Sequence, residues 1–188
     1  MPPSDLEIAV TFSRAVVAAG GESIVIGSVA VNAYARERSS SDVDFLVLVP
    51  ERNLPRLAAE LGRRRLRLAD RPDLADAFRE HTPVSVHVEG SLFRVDVKFA
   101  AGEEEAQEVR DGVRLDNGLT VPTVEHVVAY KILFGSPQDY LDAQRVIEMN
   151  GHEIDEEKLR SVMQRRGTAF SPYRRLKRQA GRHLPPHR

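Results

Sequence analysis

Two aspartates one residue apart are the first chemistry in this chain. Asp42-Val43-Asp44 opens an apolar run through Phe45, Leu46, Val47 and Leu48, and alternate side chains on a strand share a face. Asp42 and Asp44 then point one way, with Leu46 and Leu48, while Val43 and Phe45 point the other. Carboxylates on one face repel each other unless a cation lies between them. A hard divalent ion such as Mg2+ takes oxygen ligands, typically one or two carboxylates plus substrate phosphates. Upstream, Gly27-Ser28 stands between an apolar strand, residues 23–26, and a helix expected over residues 28–36. Glycine lets backbone approach a ligand closely, and the N–H groups that open a helix favour an anion. A cation on one side and a phosphate cradle on the other suggest nucleotide chemistry.

A third carboxylate comes from the second informative stretch. PVSVHVEG and SLFRVDVKFA, from Pro83 to Ala100, alternate apolar and polar residues around Glu89-Gly90-Ser91, which is a hairpin signal. Phe93, Val95, Val97 and Phe99 share one face, which leaves Arg94, Asp96 and Lys98 on the other. Asp96 would thus lie on a strand beside the Asp42-Asp44 strand. A surface ladder of alternating charge accounts for the same three residues without any function.

Gly27-Ser28 followed by Asp42-Val43-Asp44 resembles the signature of the nucleotidyltransferase (polymerase-beta-like) superfamily. Arg38, Ser40, Asp42 and Asp44 resemble the R-x-[T/S]-x-D-x-D form of minimal nucleotidyltransferases of the AbiEii toxin type. The resemblance implies an α/β (α+β) fold, with a mixed-sheet core over residues 1–122 and a helical C-terminal segment with a basic tail over 123–188. It implies that Asp42 and Asp44 hold Mg2+ (or Mn2+), and that Asp96 completes the metal site and assists deprotonation of an acceptor hydroxyl. Gly27 and Ser28 would hold the β- and γ-phosphates of an NTP, with Arg38 and Ser40 among the nucleotide-binding residues. Further along, HVVAYKILFGSPQDYLDA resembles the helix lysine and D-x-x-D helix of the same type. Lys131 is there a phosphate contact and Asp139 or Asp142 supports the site. The chain departs from the pattern at Ser136-Pro137-Gln138, where the family carries a basic residue. The implied reaction is Mg2+-dependent transfer of an NMP from an NTP to an RNA end, a protein or a small molecule. The implied setting is a toxin with a cognate antitoxin as partner. A nucleotide-binding partner module without turnover, or a metal-dependent phosphohydrolase, would use the same residues. Lys131 could equally snorkel from an apolar helix face.

The remaining segments must position these residues. Ser4-Asp5-Leu6-Glu7 is a capping-box sequence, followed by Ile8, Phe12, Ala15 and Val16 on one helical stripe that ends at Gly20-Gly21. Ala30, Ala33 and Tyr34 are expected to pack the next helix on the sheet. Leu54, Leu57, Ala58 and Leu61 form the inward face of another helix, followed by a solvated cluster of Arg63, Arg64, Arg65 and Arg67. A short helix is expected over residues 72–81, an exposed acidic helix start at Glu103-Glu104-Glu105, and a turn-linked strand pair over 113–121. Ser136 with Pro137 at the first position is a helix start. Leu159, Val162 and Met163 face inward on a later helix. The arginine-rich tail from Arg165 onward suits either a nucleic-acid backbone or a solvated helix end.

At 188 residues and 41% hydrophobic content, the chain can bury a substantial core. With no cysteine, disulfides, zinc–thiolate sites and cysteine nucleophiles are excluded. No apolar run approaches the roughly 18 residues that span a bilayer, and the first residues lack a signal-peptide pattern, so a cytoplasmic location without membrane partners is expected. The net charge of −1 argues against a uniformly basic nucleic-acid binder, although the charge is unevenly placed.

Overall fold

The computed structural model describes residues 4–35, 42–69, 73–88 and 93–181. Helix α1 (Asp5–Ala18) begins at the capping box: Glu7 N donates to Ser4 Oγ at 3.2 Å, and Ser4 N donates to Glu7 Oε2 at 2.8 Å. Then follow β1 (Glu22–Ile26), α2 (Gly27–Tyr34) and β2 (Asp42–Leu48). After a 3-10 turn at Glu51–Asn53 come α3 (Leu54–Arg63), β3 (Leu66–Leu68), α4 (Leu74–Glu80), β4 (Val84–Val88) and β5 (Arg94–Phe99). Helix α5 (Gly102–Arg110) and the short pair β6 (Val113–Arg114) and β7 (Thr120–Val121) lead into α6 (Val124–Phe134), α7 (Pro137–Asn150), α8 (Glu156–Arg165) and α9 (Ser171–Ala180). The chain divides into two units, residues 1–29 with 39–122, and residues 30–38 with 123–188.

The first unit is built on a five-stranded mixed sheet in the order β1-β2-β5-β4-β3. Strands β2 and β5 are parallel and the other pairings antiparallel. Phe12 of α1 meets Phe45 of β2 with ring centroids 4.5 Å apart, and Phe78 of α4 meets Phe99 of β5 at 5.4 Å. Phe12, Phe45, Phe99 and Leu57 are at most 1% exposed, and full burial of such a side chain contributes about 1.5–3 kcal/mol. Ile24, Leu46 and Val109 of α5 form a smaller cluster. Leu46 shares its strand face with Asp42 and Asp44, so one end of that face is apolar and the other acidic.

In the second unit Val128 of α6, Ala143 and Val146 of α7, Leu159 and Met163 of α8, and Tyr173 and Leu176 of α9 share one core. Gly135 closes α6 at φ +65°, and Ser136 caps α7, accepting from Asp139 N at 3.1 Å.

Some expectations give way. Ala58 is exposed, and Glu60 turns inward to pair with Arg63 and Arg64; those arginines neutralise a buried acid of their own helix. Ala30 and Val31 of α2 join the core of the second unit, and Ala33, expected to pack inward, is exposed. Glu105 is buried, not an exposed helix start: its carboxylate pairs with Lys98 at 2.6 Å and accepts from Ala101 N at 2.8 Å. Strand β3 has no counterpart among the sequence expectations, because three residues after an arginine cluster carry too short an alternation to read.

The basic tail is structural where it is described. Residues 158–181 contain eight basic residues (Lys158, Arg160, Arg165, Arg166, Arg174, Arg175, Lys177, Arg178) and no acid, yet α9 buries Tyr173, Leu176 and Ala180. Truncation after Pro172 should therefore cost roughly 4 kcal/mol or more from Tyr173 and Leu176 alone and collapse the second unit's thermal transition. Replacing exposed Arg174, Arg175 and Arg178 by Ser should change stability by about 1 kcal/mol at most, through the ring contacts of Arg174 with Phe170 and Arg175 with Tyr140. Thermal melts of the two variants check both expectations, and the triple-Ser protein is the proper reagent for testing RNA affinity against salt.

Candidate functional site

Strand register assembles the acidic end of the sheet. In the antiparallel β1–β2 pair Ile26 lies opposite Asp44, so the turn at Gly27-Ser28 arrives beside that aspartate. Gly27 has φ +66°, and a Cβ there would overlap Asp44 Oδ2. Glycine is thus required twice, for the left-handed backbone and for the close approach. Ser28 is buried in the first turn of α2. In the parallel β2–β5 pair Asp44 lies opposite Asp96, and Asp42 opposite Arg94. Partners in register share a face, so Asp42, Asp44, Arg94 and Asp96 all point to one side.

Both oxygens of Asp96 are engaged. Ser85 Oγ of β4, its register partner, donates to Oδ1 at 2.6 Å, and the Arg94 guanidinium lies 2.8 Å from Oδ2. The same guanidinium is 3.9 Å from Asp42 Oδ2. The ladder Arg94-Asp96-Lys98 is therefore split: Arg94 serves the acidic cluster, while Lys98 serves Glu105. Ser85 and the bridging position of Arg94 went unnoticed in the sequence. Arg38 and Ser40 lie outside the described residues.

In the second unit Lys131 is buried between two aspartates of α7. Its Nζ lies 2.8 Å from Asp139 Oδ1 and 3.2 Å from Asp142 Oδ2. Asp142 is fully buried and also accepts from Gln138 Nε2 at 2.9 Å. Burial pushes the Asp139 carboxyl up, but the hydrogen bonds from Lys131 and Ser136 and the lysine charge outweigh it, and the net shift is downward. Glu125 behaves alike: burial raises it, and bonds from Thr123 and backbone N–H groups, with the Lys158 charge, bring it below its usual value.

A depressed folded pKa gives stability that is present above the unfolded value, about 4, and lost as pH falls through the folded one. The second unit should accordingly lose stability below about pH 4. Lys131→Met should cost roughly 3–5 kcal/mol at neutral pH, because it takes the cation away from the fully buried Asp142 and the half-buried Asp139. Melting curves by circular dichroism from pH 2.5 to 7 check both; an unchanged melting temperature for Lys131→Met would show that the cluster does not hold the helices.

No protein-family model matches the chain, and no curated protein matches it in sequence. Solved structures do. The crystal structure of ANT(2'')-Ia in complex with adenylyl-2''-tobramycin aligns over 83% of this chain and 95% of its own, at a TM-score of 0.50 and 15% identity. The solution structure of the antibiotic-resistance factor ANT(2'')-Ia aligns over 94% and 98%, at 0.53 and 14%. The chain shares the fold of these structures. The mixed sheet and the helical C-terminal part expected from the sequence are both present.

The acidic end of the sheet carries Asp42, Asp44 and Asp96 on one face. The donors are carboxylate oxygens, the set a hard ion prefers. The Arg94 guanidinium between Asp42 and Asp96 acts as a stand-in positive charge. Among the described residues no three acidic or histidine side chains converge into a complete cage. A site whose carboxylates share their ion with substrate phosphates does not need one. Among the described residues, no helix is long and apolar enough to cross a membrane.

Proposed function

We propose that the protein is a metal-dependent nucleotidyltransferase that moves an NMP from an NTP to an acceptor hydroxyl. One observation carries the reading: Asp42, Asp44 and Asp96 share a sheet face, in a register that also brings Gly27 against Asp44. Asp42 and Asp44, with Asp96, would hold Mg2+ or Mn2+, which when bound supplies positive charge to the reacting phosphate. The Gly27-Ser28 turn presents backbone N–H groups at the start of α2 to the NTP's β- and γ-phosphates, and these favour the anion. Asp96, oriented by Ser85, receives the proton of the acceptor hydroxyl. The hydroxyl oxygen bonds to the α-phosphorus, the bond to the bridging oxygen breaks, and pyrophosphate leaves with that electron pair. Arg38 and Ser40 are proposed nucleotide contacts. Lys131, with Asp139 or Asp142 in support, is a proposed phosphate contact, and an ammonium fixed by two aspartates is consistent with a positioned cation.

The AbiEii-type assignment, and with it the toxin role and the cognate antitoxin, is proposed on the motif resemblance. Three acceptor classes follow from these readings: an RNA end, a protein hydroxyl, and a small-molecule hydroxyl such as the one adenylylated in the ANT(2'')-Ia complex. Incubation with each α-labelled NTP, Mg2+ and, separately, RNA, cellular protein or tobramycin identifies the class by where label appears. Release of inorganic phosphate from γ-labelled NTP without transfer of the α-label would favour a phosphohydrolase.

A further inference from the structure

We propose that Arg94 is a resident counter-cation of the acidic cluster that must leave the carboxylates before a divalent ion can take them. The proposal rests on the metal-dependent reading above. Arg94 stands two residues before Asp96 on β5 and opposite Asp42 in the parallel register. Both relations put its side chain on the carboxylate face. Its guanidinium spans the two aspartates, 2.8 Å from Asp96 and 3.9 Å from Asp42. Lys98, the other base on this face of β5, is committed to Glu105 at 2.6 Å.

Two features make this contact exchangeable. The Arg94 side chain is 48% exposed, so it can swing into water at little steric cost, and an ion pair this accessible is worth little in isolation. Asp96 does not depend on Arg94 for orientation, because Ser85 holds the other carboxylate oxygen at 2.6 Å. When the guanidinium leaves, Oδ2 becomes a free donor while Oδ1 stays fixed. A guanidinium and a divalent ion cannot share the same few ångströms, because like charges at that range repel strongly. In the metal-free protein Arg94 relieves carboxylate repulsion; the same contact competes with the ion and weakens its binding.

Titration of nucleotide-free protein with Mn2+, following free Mn2+ by its electron paramagnetic resonance signal, reads the competition directly. Arg94→Gln removes the charge and should tighten Mn2+ binding about tenfold, equivalent to ~1.4 kcal/mol. Arg94→Lys keeps a cation and should stay closer to wild type than to Arg94→Gln. Arg94→Ser carries the same expectation as Arg94→Gln, should the latter fail to fold. Equal or weaker Mn2+ binding in the charge-removed variants, with wild type binding the ion, overturns the proposal and leaves the metal reading standing. Should no variant bind Mn2+ alone, the titration is repeated with a non-hydrolysable NTP present, and failure of every variant there overturns the metal reading itself.

Discussion

Asp44→Asn should reduce nucleotidyl transfer at least a thousandfold, equivalent to about 4 kcal/mol of transition-state stabilisation, while the protein stays folded. Asp44 is the residue on which the proposed site converges: it pairs in register with Ile26 and with Asp96, and its carboxylate takes the space a side chain at Gly27 would fill. Asparagine has the same shape, so packing is kept and one negative charge is lost. The metal-free melting temperature should hold or rise slightly, because less like charge is crowded on the face. Activity assays alongside thermal melts separate a chemical loss from a folding defect. Wild-type turnover in a folded Asp44→Asn protein would remove Asp44 from the chemistry.

The second large effect is expected at Gly27. An alanine there must adopt φ near +66°, at about 1–2 kcal/mol for a residue with a Cβ, and its methyl collides with the Asp44 carboxylate. Either the turn or the aspartate must move, so transfer should fall roughly a hundredfold or more, about 3 kcal/mol, with a modest drop in stability. Gly62→Ala is the matching control. Gly62 lies inside α3 with open space around its missing Cβ, and alanine in a helix should gain about 0.5–1 kcal/mol. Equal activity in the two variants would show that the close approach at Gly27 is not functional.

The parts of this arrangement that obey a short-range rule were legible in the residues. Alternation put Asp42 with Asp44 and Asp96 with Arg94; capping chemistry placed the starts of α1 and α7; and the Asp116-Asn117-Gly118 turn joins β6 to β7 as expected. The pairing of β5 beside β2 was also anticipated, and the structure adds that it is parallel. What remained hidden depends on partners distant in sequence. Glu105 looked like one of three equivalent acids until Lys98 and Ala101 N, brought close by the β5–α5 junction, made it a buried one. Ala30 and Val31 have no property that tells a sheet from a helical core. Ser85 likewise gains its place only from the β4–β5 register, which sets it opposite Asp96. The roles proposed for Asp42, Asp44 and Asp96 came from the motif resemblance, because alternation alone cannot separate a metal ligand from a charged strand face.

The central claim is that these carboxylates support metal-dependent transfer of a nucleotide. The most direct measurement follows α-labelled NTP with Mg2+ in the presence of RNA, cellular protein and tobramycin, for wild type and Asp44→Asn side by side. The predicted result is label attached covalently to one acceptor class by wild type, lost on chelation of the metal and absent with the variant. Label that stays in the NTP with every acceptor, or transfer that is equal in wild type and Asp44→Asn, would contradict it.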